Sequence, residues 1–149
     1  MSQDRTGIDL DTSVGYLLKE ASSALRVAME EVLRPLGMTI THYSCLELLA
    51  QRPGLSNSEL ARGAFVTRQS MNVLLQALER EGIVSRPAEA PVGKALPARL
   101  TERGRASLTK ATAAVRSVEV RMVSGMTEEE QAGALKILRS MVYSLRERP

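Results

Sequence analysis

The stretch LSNSELARGAFVTRQSMNVLLQALEREG, residues 55–82, constrains this chain more than any other. It reads as two helices joined by a tight turn. Ser56 followed three residues later by Glu59 has capping-box spacing, in which hydroxyl and carboxylate each satisfy an orphaned backbone N–H. The helix it opens should run to about Ala61-Arg62, with Gly63 permitting a sharp exit. A second helix opens at Thr67 and ends before Gly82. Its apolar residues Met71, Leu74, Leu75 and Leu78 recur at helical spacing and form one stripe. Arg68, Gln69, Ser70, Asn72, Gln76 and Arg80 fall off that stripe and should face outward. Arg suits guanine, Asn and Gln suit adenine, and hydroxyls suit either, so these side chains match base edges in a major groove. The pattern marks a helix-turn-helix candidate with the second helix as reader. The same residues also fit a helical hairpin whose polar face is merely solvated.

The wider chain sets bounds on both alternatives. Its 149 residues suit one domain with a real core. Aromatic residues make up 3% and Trp is absent, which argues against stacking surfaces for single strands or unpaired RNA loops. Arg52 to Arg105 contains nine Lys/Arg against five Asp/Glu, whereas the rest holds eleven against twelve. The basic excess thus surrounds the helix-turn-helix, as phosphate neutralisation requires. A single cysteine excludes an internal disulfide framework and suits a reducing compartment. No apolar run approaches a membrane span and the polar start MSQDRTGIDLD lacks a signal-peptide pattern, so a soluble cytoplasmic protein is expected. No nucleophile-and-base set, metal-ligand cluster or nucleotide-binding glycine loop can be assembled. An enzyme, a cofactor and a metal are therefore not expected.

The flanks are helical. Val14, Leu18, Ala21, Leu25, Ala28 and Val32 alternate steps of four and three, widened by Leu17, Met29, Leu33 and Leu36, until Pro35 and Gly37 end the helix. A second helix should run from about Thr41 to Gln51 with Cys45, Leu46, Leu48 and Leu49 inward. Cys45 fits a redox switch or a small core hydrophobe, and its apolar neighbours favour the core. Ile83-Val84 and Arg99-Leu100 can pair as a β-hairpin wing with Gly93-Lys94 at its turn, although Pro87, Pro91 and Pro97 also suit a plain linker. From Thr101 a long helix carries Leu108, Ala111, Val115, Val118 and Met122 on one face. Thr127 and Glu130 then cap a last helix whose inner face is Leu135, Leu138, Val142 and Leu145. Three amphipathic helices at the chain ends lack cover in so small a domain, and dimerisation supplies it.

GMTITHYSCLELLAQRPGLSNSELA, the reader VTRQSMNVLLQALEREGIV and ARLTERG after the wing make the chain resemble the MarR family of winged helix-turn-helix regulators. The order of elements is similar along nearly the whole chain. The resemblance implies a mainly α fold of six helices with a small β wing. It implies a single domain over 1–149, in which 12–36 and 102–147 dimerise and 40–101 form the DNA-binding lobe. It implies a homodimer on a pseudo-palindromic double-stranded operator, with repression relieved by a small phenolic or aromatic ligand. Thr67, Arg68, Gln69, Ser70, Asn72 and Gln76 match the groove-facing side of the reader, and Ser56 and Asn57 match the helix start that touches phosphate.

Two departures stand out. The family's Asp-Arg-Arg-like wing cluster is replaced by Val92, Gly93 and Lys94, leaving Lys94, Arg86 and Arg99 as wing cations. Val73 and Ala77 occupy reader positions that are often polar or basic. Both predict weaker, less salt-sensitive binding, and they motivate the rival function of a dimeric winged-helix scaffold without specific DNA binding. Oxidant-sensing relatives carry their cysteine on the first helix, whereas Cys45 is on the second. On the effector side, His42 lies at the start of the helix bordering the family's ligand crevice. Tyr16 and Arg26 could join it around a phenol or carboxylate, but His42 also fits an ordinary helix-start residue and Arg26 a solvated charge.

Overall fold

The computed structural model describes residues 6–86 and 97–147. Among those residues it contains α1 (Val14–Leu33), α2 (Ile40–Gln51), α3 (Asn57–Gly63), α4 (Arg68–Arg80), β1 (Val84–Ser85), β2 (Arg99–Leu100), α5 (Glu102–Met122) and α6 (Glu128–Arg146). Every one of these helices starts on a Ser or Thr whose hydroxyl accepts a backbone N–H three residues ahead: Ser13, Thr39, Ser56, Thr67, Thr101 and Thr127. Each cap satisfies an otherwise orphaned donor and contributes about 1 kcal/mol. Capping boxes form at Ser56/Glu59 and at Thr127/Glu130. The second helix begins one residue earlier than expected, because Thr39 caps it.

Three helix exits share one geometry. At Gly37, Phe65 and Gly82 the backbone turns left-handed, with φ of 72°, 60° and 75°. At each, the next residue's N–H reaches back five positions: Met38 to Leu33, Val66 to Ala61, Ile83 to Leu78. These are Schellman ends. The expectation that Gly63 supplies the exit from α3 is therefore corrected. Gly63 is the last helical residue, and the left-handed position falls on Phe65, where an L side chain is strained.

The core is one cluster. Leu33, Cys45, Leu46, Leu60, Met71, Leu75, Leu78, Val84, Leu100, Leu108 and Ala111 meet where α2 and the wing base pack on α5, α3 packs on α2, and α4 packs on α3 and β1. α5 also packs along α1. Beyond this cluster the protomer covers little. α1 buries only Ala28 and Leu33, and α6 buries nothing. Val14, Leu17, Leu18, Leu135, Leu138, Val142 and Leu145 are exposed, as is Met122, which does not complete the inner stripe of α5. No helix among the described residues is long and apolar enough to cross a membrane.

The wing base is short and antiparallel, pairing Val84 with Leu100 and Ser85 with Arg99. Pro97 precedes β2 and so removes no ladder donor, while Pro87, Pro91 and the Gly93-Lys94 turn lie outside the described residues. The base is clamped to α5 by Thr101. Its N–H donates to the Ile83 carbonyl (3.0 Å), its hydroxyl donates to the Gly82 carbonyl (2.6 Å), and the same oxygen accepts from Gly104 N (3.0 Å). Gly104 lets this approach happen, because a Cβ there would overlap the Ile83 carbonyl oxygen.

Candidate nucleic-acid interface

α4 presents two faces, as its spacing requires. Met71, Leu75 and Leu78 are buried, whereas Thr67, Arg68, Gln69, Ser70, Asn72, Gln76 and Arg80 are exposed. Thr67 Oγ1 accepts from Ser70 N (3.0 Å) and donates to Ser70 Oγ (2.9 Å), so both hydroxyls of the reader's first turn are held in place. Asn57 Nδ2 donates to Asn72 Oδ1 (3.4 Å), tying the start of α3 to the middle of the reader. Ser56, whose hydroxyl caps α3, is half-buried beside Asn57. Val73 sits within the polar face and is 60% exposed. An exposed aliphatic group there has the chemistry to meet a thymine methyl.

The predicted wing cations divide three ways. Arg99 is exposed on β2, beside Arg105 at the rim of a cavity of 550 Å³. Lys94 lies outside the described residues. Arg86 is half-buried and turned back toward the reader, with its Nε 3.9 Å from Glu79 Oε2. Its expected role as a free wing cation is corrected to this extent: the guanidinium is partly neutralised by a carboxylate of α4.

The three effector-side residues do not converge within the protomer. His42 is half-buried, and its Nε2 is shielded from solvent without a hydrogen-bond partner. Burial lowers its pKa below the usual value, partly offset by the charge of Glu81 just past the end of α4. Tyr16 lies in a groove of 730 Å³ with Lys19, Ser23, Val27 and Arg121, and neither Arg26 nor His42 lines it. Ten residues separate Tyr16 from Arg26, a rise of about 15 Å along one helix, too far for both to touch a single benzoate-sized molecule.

A polar node absent from the sequence expectations joins α2 to α5. Glu47 accepts from Tyr43 Oη (2.7 Å), Gln51 Nε2 (2.8 Å) and Thr112 Oγ1 (3.1 Å). Burial opposes the charge of Glu47, but the three donors outweigh it and hold the carboxyl below its usual pKa. The phenol of Tyr43 is pushed well up by burial and by Glu47. The Tyr43–Glu47–Gln51 pairs follow i,i+4 spacing and are visible in the sequence. The link to Thr112, 65 positions away, is not. Cys45 is fully buried, and burial alone pushes its thiol up to about 11, so it is a packing residue rather than a thiolate poised for oxidation.

A capped reader helix, a second helix braced against its middle and a wing base clamped behind it form one unit. Known proteins are similar to this chain in sequence and in fold. The profile of the MarR family matches residues 36–95. The HTH-type transcriptional repressor Rv2887 of Mycobacterium tuberculosis is 42% identical over 135 residues, which span 91% of this chain and 97% of that protein. The chain belongs to the MarR family. Two crystal structures of the M. tuberculosis MarR-family protein Rv2887 superpose with a TM-score of 0.73. One is a complex with DNA (41% identity, covering 88% of this chain and 98% of that one). The other is a complex with salicylic acid (43% identity, covering 88% and 97%). The transcriptional repressor CouR bound to a 23-mer DNA duplex is 26% identical, with a TM-score of 0.79 over 95% of this chain and 99% of that one. As in other MarR-family transcription regulators, the two short strands here are the base of the wing, and α3–α4 is the helix-turn-helix.

Proposed function

We propose that this MarR-family protein is a dimeric, sequence-specific repressor that binds double-stranded DNA and is released by a small aromatic or phenolic acid. One observation carries the DNA part. Arg68, Gln69, Asn72 and Gln76 stand exposed on a helix whose cap and cross-brace fix its orientation. Ser56 and Asn57 at the start of α3 contact phosphate, and Arg99 with Lys94 at the wing adds a modest electrostatic contribution. The exposed apolar faces of α1 and α6 pair with those of a second copy, so that 12–36 and 102–147 form the dimer arm and 40–101 the DNA-binding lobe of one domain. The protein acts in the cytoplasm, has no enzymatic activity, and needs no cofactor.

His42 anchors the effector. It lies at the start of α2, and its nearest influential charge is Glu81 at the far end of the reader. A ligand bound beside His42 acts on α2, which packs on α3, the helix against which the reader rests. Salicylic acid is the first compound to try, because it is the molecule bound in the Rv2887 complex. Wild-type protein should release DNA when salicylate is added, and His42→Ala should not. Equal release by both removes His42 from the site.

The partial neutralisation of Arg86 is the observation that favours the rival scaffold function. A gel-shift assay with the DNA upstream of the protein's own gene separates the two. Sharp binding that survives excess competitor DNA selects the repressor, and smeared, competitor-sensitive binding selects the scaffold.

A further inference from the structure

A groove of 810 Å³ opens behind the helix-turn-helix, between the ends of α2 and α6, the outer face of α3 and the turn that leads to the reader. Arg52, Arg62 and Arg146 line it with a single carboxylate, Glu59, and its apolar wall is Leu48, Leu55 and Phe65. Three features of the groove are unusual together.

First, its aromatic ring is in a costly place. Phe65 occupies the left-handed position of a Schellman end, where Gly37 and Gly82 stand at the two equivalent exits, and it is 83% exposed. Neither turn geometry nor core packing calls for an aromatic residue there. Second, none of the three arginines forms an ion pair within 4 Å among the described residues, although Arg62 is near enough to Glu59 for its charge to help lower that carboxyl's pKa. The single ion pair within 4 Å among the described residues is Arg86 with Glu79, and Glu59 Oε1 is engaged at the cap of α3 by Ser56 N (3.1 Å). Third, duplex phosphate does not account for them. Asn57 points to the reader, and Glu59 and Arg62 lie about 160° and 140° round α3 from it. The groove therefore backs away from the face that reads DNA.

We propose that this groove binds a free aromatic phosphate of nucleotide size, its ring against Phe65 and its phosphate held by Arg52, Arg62 and Arg146. Three guanidinium groups against one carboxylate leave a surplus that a phosphate dianion matches better than a monoanionic acid. Guanidinium forks also fit phosphate oxygens in a bidentate way. The volume lies within the range of sites for molecules of this size. The site is distinct from the reader and from His42, and its occupant sits directly against the turn that orients the reader.

Titration calorimetry of the full chain with adenosine 5′-monophosphate tests the proposal without DNA, so its failure leaves the repressor function standing. The wild type should bind the nucleotide roughly tenfold or more tightly than it binds either inorganic phosphate or adenosine alone. Arg62→Gln and Arg146→Gln should each weaken binding roughly tenfold, the loss of one charge-assisted contact. Phe65→Gly should weaken it several-fold while raising the melting temperature, because glycine relaxes the left-handed turn and keeps the variant folded. No binding at millimolar nucleotide, or binding that Phe65→Gly leaves unchanged, overturns the proposal. So does displacement of the nucleotide by an equal concentration of a 5′-phosphorylated single-stranded tetranucleotide, which assigns the groove to nucleic-acid ends. A fall in the salt dependence of duplex binding in Arg62→Gln, with nucleotide binding intact, assigns it to the DNA backbone and overturns the proposal as well.

Discussion

Replacing Gly104 by alanine sets two effects of opposite sign against each other. Gly104 lies in the first turn of α5, and alanine inside a helix is favoured over glycine by up to about 1 kcal/mol. Its added methyl, however, would overlap the Ile83 carbonyl oxygen, with the Ile83 carbonyl carbon at 3.2 Å and Leu100 Cδ2 at 3.3 Å behind it. The obstacle is backbone, and that carbonyl also accepts the Thr101 N–H at 3.0 Å. It cannot rotate aside without loosening the clamp between wing and α5. Overpacking against a fixed wall costs about 1–3 kcal/mol, and weakening one hydrogen bond adds about 1 kcal/mol. The overlap wins, and Gly104→Ala should destabilise the protein by about 2 kcal/mol. For a chain of this length that lowers the melting temperature by about 4–8 °C. Thermal and urea unfolding, run at equal protein concentration because dimerisation shifts the midpoint, give the answer. A variant that melts with the wild type or above it refutes the close approach of α5 to the wing base.

Other substitutions separate the remaining parts. Arg68→Ala should weaken binding to the operator by about 1–3 kcal/mol and relax selectivity at one base pair, read by competition between mutated sites. Arg99→Ala should weaken binding to all sequences alike and reduce the salt slope by about 1, since it removes one phosphate contact. Glu47→Ala should cost about 2 kcal/mol and Thr112→Val about 1, and the double variant should fall short of their sum because the two share one hydrogen bond. His42, whose folded pKa is lowered, favours the neutral ring. Its contribution to stability is complete above its ordinary pKa of 6.5 and fades as the pH falls through the lower folded value. Melting temperatures taken from pH 7 downward should therefore drop less in His42→Gln than in the wild type.

Local chemistry was legible in this sequence, and contacts between distant residues were not. Ser56/Glu59 and Thr127/Glu130 announce helix starts because both halves of a capping box lie within four residues. Thr67, Met71, Leu75 and Leu78 define the reader and its buried face for the same reason. The apolar faces of α1 and α6 were visible as stripes, and the protomer leaves them exposed, as helices that need a partner should be. The exit of α3 went wrong because glycine is the usual sign of a left-handed end, and here that conformation falls on Phe65 two residues beyond Gly63. The contact of Glu79 with Arg86 and that of Glu47 with Thr112 depend on how elements dock, which spacing cannot reveal. Gly104 lay in the segment ARLTERG that carried the family resemblance, but its close approach to Ile83 became apparent only in three dimensions.

The claim on which the rest depends is that two copies of the α4 tip read successive major grooves of one duplex. Methylation interference on DNA from upstream of the protein's own gene measures this directly. The account predicts that guanine N7 methylation blocks binding in two patches about one helical turn apart, and that Arg68→Ala erases the interference at one guanine in each patch. Binding that is indifferent to major-groove methylation, or interference confined to a single patch, contradicts it.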